Sequence, residues 1–165
     1  MAKRSTKENK SVYQLAREKE ELTREEAESR CPALTADRIA KIEGDRTAVH
    51  PEDVMLMAEC YRAPSLRNYY CSHECAIGRD RVPEVKTKEL AQIAVETLNA
   101  LNKMSREKER LLEIVEDGTV RPDEREDFLT IKTTLDKIAV SVRTMQLWID
   151  ESMAQGKLPK DFLKP

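Results

Sequence analysis

From Phe128 onward the apolar residues recur at steps of three and four: Phe128, Ile131, Leu135, Ile138, Val142, Met145 and Ile149. That spacing keeps every side chain on one stripe of a helix and predicts a coiled-coil seam. Pro122, Asp123 and Glu124 place a proline and two acids in its first turn, where a helix start favours them. Upstream, Leu90, Ala94, Leu98, Leu101, Leu112 and Val115 follow a seven-residue pattern that Ser105 and Lys108 interrupt. They predict one helix over 84–116, ended by Asp117-Gly118. Together the two stretches predict an antiparallel helical hairpin over 84–155. Ile93, Val95, Leu111, Ile114, Leu129, Leu147 and Trp148 add further apolar surface. An isolated hairpin would leave some of it in water, and pairing two hairpins into a four-helix bundle would cover it. A homodimer through residues 84–155 is therefore expected. Docking of the stripe on the chain's own N-terminal domain, or on another protein, is the competing use.

The first seventy residues are patterned in shorter pieces. Residues 1–10 form a polar arm with an excess of Lys and Arg. Ser11 opens a helix whose Val12, Leu15 and Ala16 are expected to face a core, and the charge run Glu18 to Glu21 reads as a solvated helix end. Thr23 is a good N-cap, with Glu26 at capping-box spacing. The helix it starts runs from Arg24 to about Cys31, where Pro32 stops it. Thr35 caps the next helix, over 36–43, and Gly44 stands near its C-terminal cap. Ala27, Ile39 and Ile42 supply core positions. Asp45 to His50 read as a polar loop before a helix beginning at Pro51, with Val54, Leu56, Met57, Ala58 and Tyr61 closing the core and Met55 taken as packing.

Two short capped helices joined by a tight corner are the ingredients of a helix-turn-helix. The stretch from Val12 to Tyr61 resembles the phage-repressor (Cro/CI-like, XRE) helix-turn-helix family of bacterial DNA-binding proteins. The resemblance is carried by LAREKEELTREEA at 15–27, TADRIAKIEG at 35–44 and PEDVMLMAECY at 51–61. It covers roughly the first third of the chain and implies a DNA-binding domain over 11–70. By position in that family, Thr35, Ala36, Asp37 and Lys41 would reach base edges or phosphates, with Arg38 beside them and Arg24 placed for a backbone contact; Arg46 is a further DNA-binding candidate. Glu43 would make a polar contact inside the domain. The chain departs from the family at Glu28, where a small residue is usual. It departs again in the longer corner Cys-Pro-Ala-Leu and in Gly44-Asp45-Arg46 after the third helix.

Composition shifts between Ala63 and Pro83. Cys71 and Cys75 flank His73, and Cys60 lies eleven residues before Cys71. Thiolate and imidazole suit zinc, which makes these four the candidate metal ligands. The C-x-x-x-C spacing has no second pair, and at helical spacing the same thiols would share a face and could simply pack. Residues 71–83 read as a Cys-containing linker, and 156–165, with Gly156, Pro159 and Pro165, as a tail.

Four Gly and two Phe in 165 residues, with abundant Glu, Lys, Leu and Ala, predict an all-α protein. No apolar run approaches the ~20 residues that span a bilayer, and the N-terminus lacks the apolar core of a signal peptide. A cytoplasmic location with reduced thiols is expected. Net charge is -2, so DNA binding would depend on local placement of cations. No phosphate loop, paired nucleophile and base, or metal-protease helix occurs, and an enzyme is not expected. The expectation is a sequence-specific transcriptional regulator binding double-stranded DNA as a dimer. The alternative is a protein-interaction module, antitoxin-like, whose hairpin captures a partner.

Overall fold

All regular elements of the computed structural model, which describes residues 9–159 and 161–162, are helical. The protein is all-α. In chain order the helices are α1 (Val12–Lys19), α2 (Arg24–Arg30), α3 (Ala36–Glu43), α4 (Pro51–Cys60), α5 (Ser65–Tyr69), α6 (Leu90–Val115) and α7 (Arg125–Ala154). A single π-helical turn, Tyr70–Glu74, continues α5, and short 3-10 turns cover Gly78–Asp80 and Pro122–Glu124. The described residues divide into two compact units, one running to Glu84 and resuming at Ile149, the other Val85–Trp148. Most of the basic arm, residues 1–8, and residues 160 and 163–165 of the tail lie outside the described residues.

In the first unit the caps are those the side chains favour. The Ser11 and Thr35 hydroxyls accept from the backbone N–H groups of Gln14 and Arg38. Thr23 and Glu26 satisfy each other's backbone N–H groups in a capping box. Around these starts a core closes from Tyr13, Ala27, Leu34, Ile39, Ile42, Val54, Met57, Ala58, Cys60, Tyr61 and Leu66.

Two expectations for this unit are corrected. Leu15 is 53% exposed; α1 instead turns Tyr13, Gln14 and Arg17 inward, because Arg17 has a buried carboxylate to meet. Met55 is exposed, while Met57 is buried. Gly44 caps α3 as expected, and the next residue, Asp45, has φ 54°. An aspartate tolerates that region better than most residues do. Residues 71–83 also differ from a simple linker. A Cβ added to Gly78 would stand 2.0 Å from the Cys71 carbonyl oxygen, so the two turns are packed backbone to backbone.

In the second unit α6 starts at Leu90, six residues later than expected, after an extended lead-in that buries Val85. Residues 116–124 reverse the chain, and Arg110 Nε donates to Asp127 Oδ2 at 2.7 Å across that turn, so α7 returns antiparallel to α6. The rows that pack differ from the predicted seams. On α6 the buried residues are Ile93, Ala100 and Ile114. Leu90, Leu98, Leu101, Leu112 and Val115 are exposed. On α7, Ile131 is buried as expected, and with it are Thr134, Ser141, Thr144 and Leu147, while Leu135 and Val142 are exposed. The buried Thr134 and Thr144 hydroxyls donate to the carbonyls of Thr130 and Val140, four residues back, so they enter a packed face without an unmet hydrogen bond.

Candidate nucleic-acid interface

The α2–corner–α3 segment is held from inside by charge as well as by apolar packing. Glu43, on the last turn of α3, is 3% exposed. Its carboxylate accepts from Arg17 Nε at 2.6 Å, Arg17 Nη2 at 2.8 Å and Arg24 Nε at 2.9 Å. Burial opposes the charge on Arg17, and the Glu43 carboxylate outweighs it, leaving the guanidinium pKa above its ordinary value. The Leu22 carbonyl takes a further Arg17 N–H. A buried charge needs this degree of satisfaction. One carboxylate thus ties α1, the start of α2 and the end of α3 together, in the internal role expected of Glu43.

The opposite side of α3 faces solvent. Thr35, Asp37 and Lys41 are exposed along it, and Ala36 is half-buried. Lys41 Nζ lies 2.6 Å from Asp37 Oδ2, one helical turn away, with both side chains at least half exposed. Such a pair is worth only about 0.3–0.5 kcal/mol, so Lys41 is easily redirected to another anion. Arg46 is also exposed and donates to the Ala40 carbonyl at 3.2 Å.

Arg38 is in a different situation. Its guanidinium donates to both Asp53 oxygens, to Thr47 Oγ1 at 2.9 Å and to the Ala48 carbonyl at 2.9 Å. The Asp53 hydrogen bond raises the Arg38 pKa. Asp53 is itself pulled below the usual carboxylate range: partial burial acts against that shift, and the Arg38 and His50 backbone hydrogen bonds outweigh it. Arg38 therefore fastens the α3–α4 loop. Arg24 is similarly engaged with Glu43, although its side chain is 40% exposed.

Glu28, the departure in α2, has a local role. Its Oε2 accepts from the Ala36 backbone N–H at 3.2 Å, at the first turn of α3. A carboxylate there satisfies an end group of the helix and suits its positive dipole end.

The four candidate metal ligands are not brought together. Cys60 is buried in the core, its Sγ 3.5 Å from the Ala27 carbonyl, and burial pushes its thiol pKa up. His73 stacks on Tyr69 with ring centroids 4.5 Å apart, while Tyr69 meets Tyr13 edge to face. Cys71 lies within the π-helical turn and Cys75 just beyond it. Among the described residues, no group of three or more His, Cys, Asp or Glu side chains is placed to hold a metal ion. Nor is any helix there long and apolar enough to cross a membrane.

No protein-family model, no curated protein and no solved structure matches the chain.

The sequence reading missed Arg17, Glu28 and Asp53. A signal existed for the first: Arg17 lies four residues after the core residue Tyr13, and Glu43 four after Ile39. Opposite charges on two core-facing helix positions predict each other. Nothing local marks Glu28 or Asp53, whose partners depend on how the elements are arranged.

Proposed function

We propose that this protein is a sequence-specific transcriptional regulator of the phage-repressor helix-turn-helix type, binding double-stranded DNA as a homodimer in the cytoplasm. The observation that carries the reading is the two-sidedness of α3. Ile39, Ile42 and Glu43 clamp it to the domain, while Thr35, Asp37 and Lys41 stand on its exposed side. A rigid helix with a polar outer edge is what major-groove readout requires. Lys41 is the residue for a guanine edge or a phosphate, and Asp37 accepts from a cytosine amino group while disfavouring a nearby phosphate. Arg46 and the exposed part of Arg24 supply backbone contacts. Thr35 and Ala36 bring the start of α3 to the groove. Arg38 acts indirectly, by holding the loop that follows α3.

The test is selection from a pool of random duplexes by fluorescence anisotropy, with sequencing of the bound fraction. An enriched two-fold motif, and affinity that falls steeply with salt, are expected. Folded protein that enriches no motif would refute the reading.

One observation favours a second reading, a protein-interaction module. Arg24, Arg38 and Lys41 each have a carboxylate partner within the chain, and Glu28 already occupies an N–H at the start of α3. Such a surface is close to neutral. Absence of any specific DNA complex, at low as well as high salt, would favour this alternative.

A further inference from the structure

Each long helix carries a buried row and an exposed apolar row. On α6, the row Leu90, Leu98, Leu101, Leu112 and Val115 is between 41% and 58% exposed, beside the buried row of Ile93, Ala100 and Ile114. On α7, Leu135 and Val142 are 46% and 49% exposed beside buried Ile131, Thr134 and Ser141. At about 100° per residue, the exposed row leads the buried row by roughly 110° on α6 and by roughly 75° on α7. The two offsets have the same rotational sense. In a pair of antiparallel helices, offsets of the same sense point to the same side of the pair. The exposed rows of the two helices therefore lie on one side of the hairpin, while Val95 and Leu129 stand singly on the other. Two contact directions near a right angle apart are those of a helix in a four-helix bundle, where each helix touches two neighbours. Within Val85–Trp148 only one of the two is met.

We propose that the apolar side is covered by a second copy of this chain, the two hairpins closing face to face into a four-helix bundle. The inference rests on the reading of the hairpin as the dimerisation element and is independent of the DNA-binding reading. Two observations favour a copy of the same chain. The half-exposed residues present roughly 600 Å² of apolar surface, at the upper limit of what monomers leave uncovered and close to the about 800 Å² per partner of a stable pair. The unit is also nearly neutral, with eleven Lys and Arg against twelve Asp and Glu over residues 85–148. Many of these charges are paired within the chain, as in Lys103–Glu107, Arg110–Asp127 and Lys132–Asp136. A two-fold interface brings identical patches together, so an apolar face without a net field meets its own copy without like-charge repulsion. Lys108 is the single charged position in the α6 row, and it weakens the face it interrupts.

Sedimentation equilibrium of the full chain, without DNA, tests this. The wild type is expected to be a dimer. Leu101→Glu with Leu112→Glu should give a monomer whose helical circular dichroism is unchanged. Val95→Glu with Leu129→Glu, at positions equally exposed but turned away from this side, should leave the dimer intact. Lys108→Leu should lower the dissociation constant by about tenfold or more, as expected for one further buried apolar side chain. A monomeric wild type would overturn the proposal. So would dimerisation unaffected by the double Leu→Glu change, or equal dissociation of the Val95/Leu129 variant. If the Leu101/Leu112 variant loses helicity, the Lys108→Leu result decides: an unchanged dissociation constant counts against the proposal. Because DNA is absent, failure here leaves the duplex selection as a separate result.

Discussion

Arg17 and Glu43 meet as a two-pronged pair: Nε reaches Oε1 at 2.6 Å and Nη2 reaches Oε2 at 2.8 Å, between two buried side chains. They are twenty-six residues apart in the chain, and their pairing sets the angle at which α3 leaves the core. Removing the Glu43 charge leaves Arg17 charged and buried without a counter-ion. Glu43→Gln should therefore destabilise the protein by about 3 kcal/mol. Replacing both, with Arg17→Met and Glu43→Leu, should recover most of that loss, because two apolar groups fill the site without a stranded charge. Urea midpoints for the two variants check the ordering.

Asp53 makes part of the stability depend on pH. Its folded pKa is depressed, so its contribution is fully present above the unfolded carboxylate value of about 3.9. It is lost as pH falls through the lower folded value. Asp53→Asn should cost about 1 kcal/mol at neutral pH, and the gap from wild type should narrow in acid below about pH 4. Urea titrations between neutral pH and acid measure this. A gap that stays constant would mean that the carboxylate is not held by Arg38.

Lys41 and Arg38 should separate recognition from stability. Lys41→Ala removes an exposed pair of little energetic worth, so thermal stability should hardly change. Its specific DNA affinity should fall by about 1–3 kcal/mol, with relaxed preference at one base. Arg38→Ala removes four hydrogen bonds, two to the α3–α4 loop and two to Asp53 on α4, and should lower stability by about 1–3 kcal/mol. Parallel denaturation and anisotropy measurements distinguish the two patterns. A Lys41 variant with unchanged affinity and preference would argue against α3 as the reading helix.

Two glycines should respond differently to alanine. At Gly78 the added carbon would clash with the Cys71 backbone, and a loss of about 2 kcal/mol or more is expected. At Gly118 there is open space, but φ is +75°, so the cost is conformational strain of about 1–2 kcal/mol. Thermal denaturation of Gly78→Ala and Gly118→Ala gives both values. Equal tolerance at Gly78 would show that the segment 71–83 is looser than its packing implies.

The sequence by itself determined what short-range chemistry determines. Ser11, Thr23 and Thr35 have hydroxyls that accept from N–H groups three residues on, and Pro32 and Pro51 bound helices through a missing donor and a fixed backbone angle. These effects act within one turn, so they were legible, while the all-α class followed from composition. The α3 boundaries, Ala36 to Glu43, were readable for the same reason. Tertiary structure alone decided which helix faces would be buried. Leu15 and Arg17 lie two residues apart on one short helix, and apolarity favours burying the leucine. The arginine turns inward because Glu43, brought close by the fold, offers it a carboxylate. In the hairpin, regular spacing identified the stripes Leu98–Leu101–Leu112 and Leu135–Val142 without saying which partner they face. Spacing reports that residues share a side of a helix. Which side is covered depends on the neighbouring helix, and there Thr134 and Thr144 are buried while meeting their hydrogen bonds on their own backbone.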